Sequence, residues 1–271
     1  MYKRVKPNGA HLGKELTVVS LVSHGPESVY MAWHHGKWCA VACKVMKSRK
    51  RALRESSVLQ ALSHPNIVRG LGVEGQTHLL MEYLDGPTLR DFIRSRPRKR
   101  MSLSDAMRVA IHIGGALDHI HHRGFVYLDV KPSNIIIFDG RPILFDVGTV
   151  QKQKKLKEAI GTDDFMAPEQ CSKGRVGAYT DVFGLGVTLY KMLTGKLPFT
   201  GYSKKNPHPQ LIRDPVPLKK HLPNAPASLD QLVLACLNRD PKQRPTLAEL
   251  LPALHTYIRS GSPMWPSFIH V

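Results

Sequence analysis

HHRGFVYLDVKPSNIIIFDGRPILFDVG, residues 121–148, sets three kinds of polar group between two kinds of backbone. A helix end at the histidines gives way to a polar loop that holds Asp129, Lys131 and Asn134. A β-like run, IIIFDGRPILF, follows, and Asp146 then stands just before a glycine turn. An acid, a base, an amide and a second acid are thus delivered by loops at strand ends.

Outward from this stretch the chain changes character. On both sides, residues 103–124, 180–195 and 228–240 carry apolar side chains at three- and four-residue spacing and read as helices. Further upstream, from Leu16 to about Tyr83, LTVVSLV, SVYMAW and CAVACKVM read as strands flanking one helical segment, RALRESSVLQAL. The expected architecture is α+β: a small β-rich N-lobe with one main helix, about 13–84, then a larger mostly helical C-lobe, about 85–259. Residues 260–271 form a C-terminal tail, the whole chain 1–271 counts as one domain, and Leu84–Pro87 is the hinge between lobes. In VACKVMK, alternation puts Ala42 and Lys44 on one strand face and Val41, Cys43 and Val45 on the other. Glu55 opens the apolar stripe Val58, Leu59, Leu62 of the following helix, so its carboxylate faces inward and can pair with Lys44.

Composition narrows the function classes. At 271 residues with 42% apolar content, the chain buries a sizeable core. No apolar run reaches the roughly 20 residues of a membrane span, and MYKRVKPNGAHLGKEL lacks a secretory signal, so the expected compartment is the cytoplasm. Cys39, Cys43, Cys171 and Cys236 lack CxxC spacing and read as reduced, buried thiols. A net charge of +18 suits acidic proteins, nucleic acid or anionic membrane. The basic clusters lack interleaved aromatics, which disfavours nucleic acid as a partner, and RPRKR at 96–100 reads as a solvated loop. Histidine pairs at 34, 35 and 121, 122 lack a third ligand, and Trp33 and Trp38 are expected to pack around a hairpin.

These motifs, in their order and over residues 16–251, resemble the Hanks-type serine/threonine protein kinases, in particular small soluble bacterial members. The resemblance implies a two-lobed protein kinase fold, with ATP and Mg2+ (Mn2+ as an alternative ion) as cofactors and a protein Ser or Thr hydroxyl as acceptor. It implies that Asp129 is the catalytic base, that Lys131 stabilises the transferring γ-phosphate, that Thr162 in GTDDF is a catalytic residue supporting the same serine/threonine assignment, and that Lys44, oriented by Glu55, anchors the α- and β-phosphates. Asn134 and Asp146 become metal ligands; Val22, Val29, Ala42 and Ile136 enclose adenine, with Met81 as gatekeeper and Glu82 to Leu84 as hinge. Glu169 and Arg244 become a buried structural ion pair, and Asp181 a buried helix carboxylate.

Departures from the family pattern qualify the reading. The loop over the phosphates, VSHGPESV, places Val22, His24 and Glu27 where glycines are expected, so Glu27 is expected to bring a negative charge toward the nucleotide. This favours the alternative of a pseudokinase-like nucleotide-binding scaffold, against which stand all five polar motif residues. Leu128 replaces the arginine that pairs with a phosphorylated activation loop, and residues 147–161 offer only Thr149 as a hydroxyl. Activity is therefore expected without activation-loop phosphorylation. Thr88, Ser133 and Lys191 stand where arginine-directed relatives carry acids, so substrates of neutral or acidic context are expected. A nucleic-acid-binding protein and a kinase of small molecules are the remaining alternatives; GTDDFMAPE resembles a peptide-docking platform and disfavours the latter.

Overall fold

The computed structural model describes residues 6–203 and 205–258. Its chain forms two compact units, Met1–Asp85 and Gly86–Val271. The final stretch from residue 259, including the expected tail, lies outside the described residues.

The first unit is an antiparallel sheet with one helix. Strands β1 (Leu16–Ser23), β2 (Val29–His34), β3 (Cys39–Val45), β4 (Gly70–Glu74) and β5 (His78–Glu82) lie in the order β1-β2-β3-β5-β4, and helix α1 (Arg49–Ala61) packs against β4 and β5. Alternation sets the register: Val41 and Cys43 are buried with Leu16, Val18, Tyr30, Ala32 and Leu80, while Ala42 and Lys44 face the other way. Ser48 caps α1, accepting the Arg51 N–H at 3.4 Å, and the helix buries Ala52, Glu55, Ser56, Val58 and Leu59. The hairpin between β2 and β3 does form, but Trp38 is 77% exposed at φ 54° in its turn, and Trp33 is 37% exposed. The expected packing of these tryptophans is not realised, because Trp38 stands in the turn and Trp33 alternates onto the exposed face of β2.

The second unit is built on α3 (Leu103–His122) and α5 (Ala178–Thr194), preceded by α2 (Leu89–Ser95) and joined by α4 (Pro168–Cys171), α6 (Ala227–Cys236) and α7 (Leu247–His255). Helix α5 is buried along nearly its whole length, which explains its almost uninterrupted apolar sequence. Gly186 allows α6 to approach it, since a Cβ there would lie 2.7 Å from Cys236 Cβ. Two short ribbons bring the polar loops forward: β7 (Ile135–Phe138) pairs with β8 (Arg141–Leu144), and β6 (Phe125–Val126) with β9 (Gln151–Lys152). Cys43 and Cys236 are buried as expected, whereas Cys39 and Cys171 are only half-buried; all four are free thiols. Among the described residues no helix is long and apolar enough to cross a membrane.

Candidate active site

In the second unit, the loop after β6 is shaped from beneath by Asp181. Its carboxylate has no solvent exposure and accepts the N–H groups of Tyr127 at 2.8 Å and Leu128 at 2.7 Å; His121 Nε2 lies 2.7 Å away. These bonds hold Leu128 at φ 70°, a left-handed conformation costing about 1–2 kcal/mol for a branched residue. The turn reverses the chain and presents Asp129.

Asp129 is buried, and its two oxygens differ. Oδ2 accepts from Lys131 Nζ at 2.7 Å and from Asn134 Nδ2 at 2.9 Å. Oδ1 is buried with no hydrogen-bond partner among the described residues. Asn134 Nδ2 also donates to the Asp129 carbonyl at 3.0 Å, so both amide protons are engaged and its Oδ1 remains as an acceptor. Lys131 Nζ donates to Thr162 Oγ1 as well. Asp129, Lys131, Asn134 and Thr162 are therefore one connected cluster. Asp146 follows β8, accepting the Gly148 N–H at 3.1 Å. Tyr127, wholly buried beneath, is held well above its ordinary phenol range by burial, then by Asp146, Asp129 and Asp181, and stays neutral.

Sequence reasoning missed Gln170. Its Nε2 donates to the carbonyls of Leu128 at 2.8 Å and Ile160 at 2.6 Å, while its Oε1 accepts the Ala167 N–H at 2.9 Å. One buried amide thus ties the Asp129 loop to the segment leading into α4. Gly161 is required there: φ is 129°, and a Cβ would lie 2.9 Å from Gln170 Nε2, the Leu128 carbonyl oxygen and Met166 Cγ. Glu169 and Arg244 form a buried two-pronged pair at 2.7 and 2.9 Å.

The first unit holds a polar cluster of its own. Lys44 Nζ lies 3.0 Å from Glu55 Oε2, whose side chain is 2% exposed. Val29 pairs with Lys44 across β2 and β3, and Ala42 with Met81 across β3 and β5; Glu82 lies opposite Val41, and Leu84 is buried. Val22 is 52% exposed, at a register shift in β1. Ile136 belongs to the second unit, on β7, bridged to Thr88. Glu27 lies beside the Lys44 ammonium: its side chain is only 8% exposed, with Oε1 3.0 Å from Arg51 Nη1 and Oε2 3.9 Å from Lys44 Nζ. Its negative charge is shared between these two cations.

Residues 25–258 match the model of the protein kinase domain. The chain belongs to the protein kinase family. Among its relatives are a probable serine/threonine-protein kinase of Clostridium perfringens, 30% identical over 256 residues (87% of this chain, 37% of the relative), and sperm motility kinase 3A of Mus musculus, 31% identical over 269 residues (94% and 52%). Serine/threonine-protein kinase PknB of Mycobacterium tuberculosis is 33% identical over 229 residues (79% and 36%). The kinase chain thus spans between 36% and 52% of the length of these relatives. Its fold class is the α+β arrangement of that family, a sheet unit followed by a helical one.

Proposed function

We propose that the chain transfers the γ-phosphoryl group of ATP to serine and threonine hydroxyls of protein substrates. The observation that carries this reading is Asp129 Oδ1, a buried acceptor without a partner beside a fully engaged Oδ2. Leaving a buried acceptor unpaired costs about 1–3 kcal/mol, and an incoming hydroxyl would repay it. In the proposed step the hydroxyl oxygen bonds to the γ-phosphorus, the bond to the departing ADP oxygen breaks, and Asp129 Oδ1 takes the hydroxyl proton. Lys131, fixed by Asp129 and Thr162, supplies positive charge toward the transferring group. Lys44, aligned by Glu55, holds the α- and β-phosphates.

The Asn134 Oδ1 acceptor and the Asp146 carboxylate form an oxygen-only donor set that fits magnesium, or manganese as the alternative. When bound, the ion neutralises phosphate charge. Val22, Val29, Ala42, Met81, Glu82, Leu84 and Ile136 are proposed as the adenine-side residues. The proposed compartment is the cytoplasm, where ATP and free thiols such as these four coexist.

The reading includes independence from activation-loop phosphorylation. Leu128 packs with Val126, Leu156 and Val176, joined by Ile160, so an apolar cluster occupies the position where an arginine would seek phosphate. Thr149 Oγ1 donates to the Tyr127 carbonyl at 2.8 Å and is engaged within the protein. A neutral or acidic substrate context is supported by a pocket of about 350 Å³ beside the Asp129 loop. Ser133, Arg90, Arg94, Lys99 and Lys191 line it, with Asp164 as the acid in that wall.

Labelled ATP with magnesium and a generic protein acceptor tests the reading against Asp129→Ala and Lys44→Met. The wild type is expected to label serine and threonine, and both variants to fold yet fall near background. Wild-type transfer no higher than that of Asp129→Ala, with nucleotide still bound, would leave the scaffold reading that the altered phosphate loop favours.

A further inference from the structure

Four side chains of the first unit form a closed ring of alternating charge. Lys44 Nζ is 3.0 Å from Glu55 Oε2 and 3.9 Å from Glu27 Oε2. Arg51 Nη1 is 3.0 Å from Glu27 Oε1, and Arg51 Nη2 is 3.9 Å from Glu55 Oε1, one helical turn along α1. Glu27 arrives from the β1–β2 loop, whose end is tied down because Ser28 accepts the Val45 N–H at 2.9 Å. Glu27 Oε1 also accepts the Lys47 N–H at 3.2 Å. The carboxylate therefore straddles two cations, gripped by one oxygen and offering the other to Lys44.

We propose that Glu27 is a gate on the Lys44 ammonium: its carboxylate and a nucleotide phosphate compete for that cation, and Arg51 receives the carboxylate when phosphate wins. This rests on the reading of Lys44 as the phosphate anchor. An ammonium serving two carboxylates offers less net attraction to a third anion than one serving Glu55 alone. Arg51 makes displacement feasible, because it already holds Glu27 at the shorter distance and its side chain, 47% exposed, has room to follow. A glycine at position 27 would leave the ammonium with Glu55 and without this second carboxylate; glutamate makes nucleotide affinity depend on the state of an ion pair.

The test is calorimetric titration of the full chain with Mg·ADP, a non-hydrolysable Mg·ATP analogue and adenosine, on wild type, Glu27→Gln, Arg51→Met, the double variant and Lys44→Met. Glu27→Gln is expected to tighten both nucleotides roughly three- to tenfold, the scale of one long, weak ion pair. Arg51→Met is expected to weaken them by a similar factor, since Glu27 then rests on Lys44 alone. In the Glu27→Gln background the Arg51 substitution is expected to lose most of its effect, because only its longer contact with Glu55 at 3.9 Å remains. Adenosine, lacking phosphates, is expected to bind wild type, Glu27→Gln, Arg51→Met and the double variant alike, which also reports that they are folded. Unchanged nucleotide affinity in Glu27→Gln, or an Arg51→Met loss that persists undiminished without Glu27, overturns the gate. Wild-type nucleotide affinity in Lys44→Met overturns the anchor reading instead.

Discussion

Asp129 gives one oxygen to Lys131 and Asn134 and keeps the other unbonded, and in the proposed transfer this asymmetry separates positioning from chemistry. Asp129→Asn should therefore lower turnover about 10²- to 10⁴-fold while Mg·ADP affinity, measured by calorimetry, changes less than about twofold. A parallel loss of nucleotide affinity would make Asp129 a structural residue of the loop. Spacing within a short stretch made Asp129, Lys131, Asn134 and Asp146 legible, because one loop and one hairpin deliver them together. Period two and the helical stripe likewise exposed the Lys44–Glu55 pair. Gln170 and His121 were not legible. The former reaches a carbonyl 42 residues away and the latter a carboxylate 60 residues away, and no local pattern marks such meetings. Glu27 was seen, but its orientation depends on Arg51, a partner 24 positions on whose role only packing reveals.

The segment from Val147 to Gly161 is held as an element by backbone and apolar contacts. Strand β9 pairs with β6; Leu156 donates its N–H to the Gly174 carbonyl at 3.0 Å, and Val176 to that of Lys154 at 3.0 Å. Leu156 then sits against Leu128, Val126 and Val176. Thr149→Ala removes only its bond to the Tyr127 carbonyl, so turnover should stay within about twofold while stability falls by about 1 kcal/mol in urea unfolding. Leu156→Asp puts a carboxylate into the apolar cluster. It should cut turnover at least tenfold, with faster hydrogen exchange across 150–160, whereas a phosphorylation-dependent enzyme would respond in the opposite order. The same contrast of local and distant causes governs how far elements could be read. Helices α3, α5 and α6 follow from apolar spacing within themselves, but two-residue strands such as β6 and β9 exist only through each other. The short α4 is set by the Gln170 amide accepting the Ala167 N–H, not by periodicity.

Over the whole molecule, a charge of +18 and a pocket lined by four cations act at different ranges. The general field steers any acidic protein toward the chain and is screened by salt within about 8–10 Å at ordinary ionic strength. The pocket acts at contact. Burial pulls Lys191 below its ordinary value although Asp164 pulls it back, and the same burial, with Asp163, raises Asp164. Both groups are half-buried, and an anionic side chain entering beside Lys191 would stabilise its charge. A peptide library with serine acceptors should therefore favour Asp or Glu near the acceptor over Arg, and Lys191→Glu should narrow or reverse that preference. Raising salt from about 50 to about 300 mM should lift KM for an acidic peptide several-fold and for a neutral one less, because only the former loses long-range attraction. If Arg-containing peptides are preferred by wild type, the pocket does not set specificity. If Lys191→Glu leaves an acidic preference intact while salt abolishes it, the overall field sets it instead.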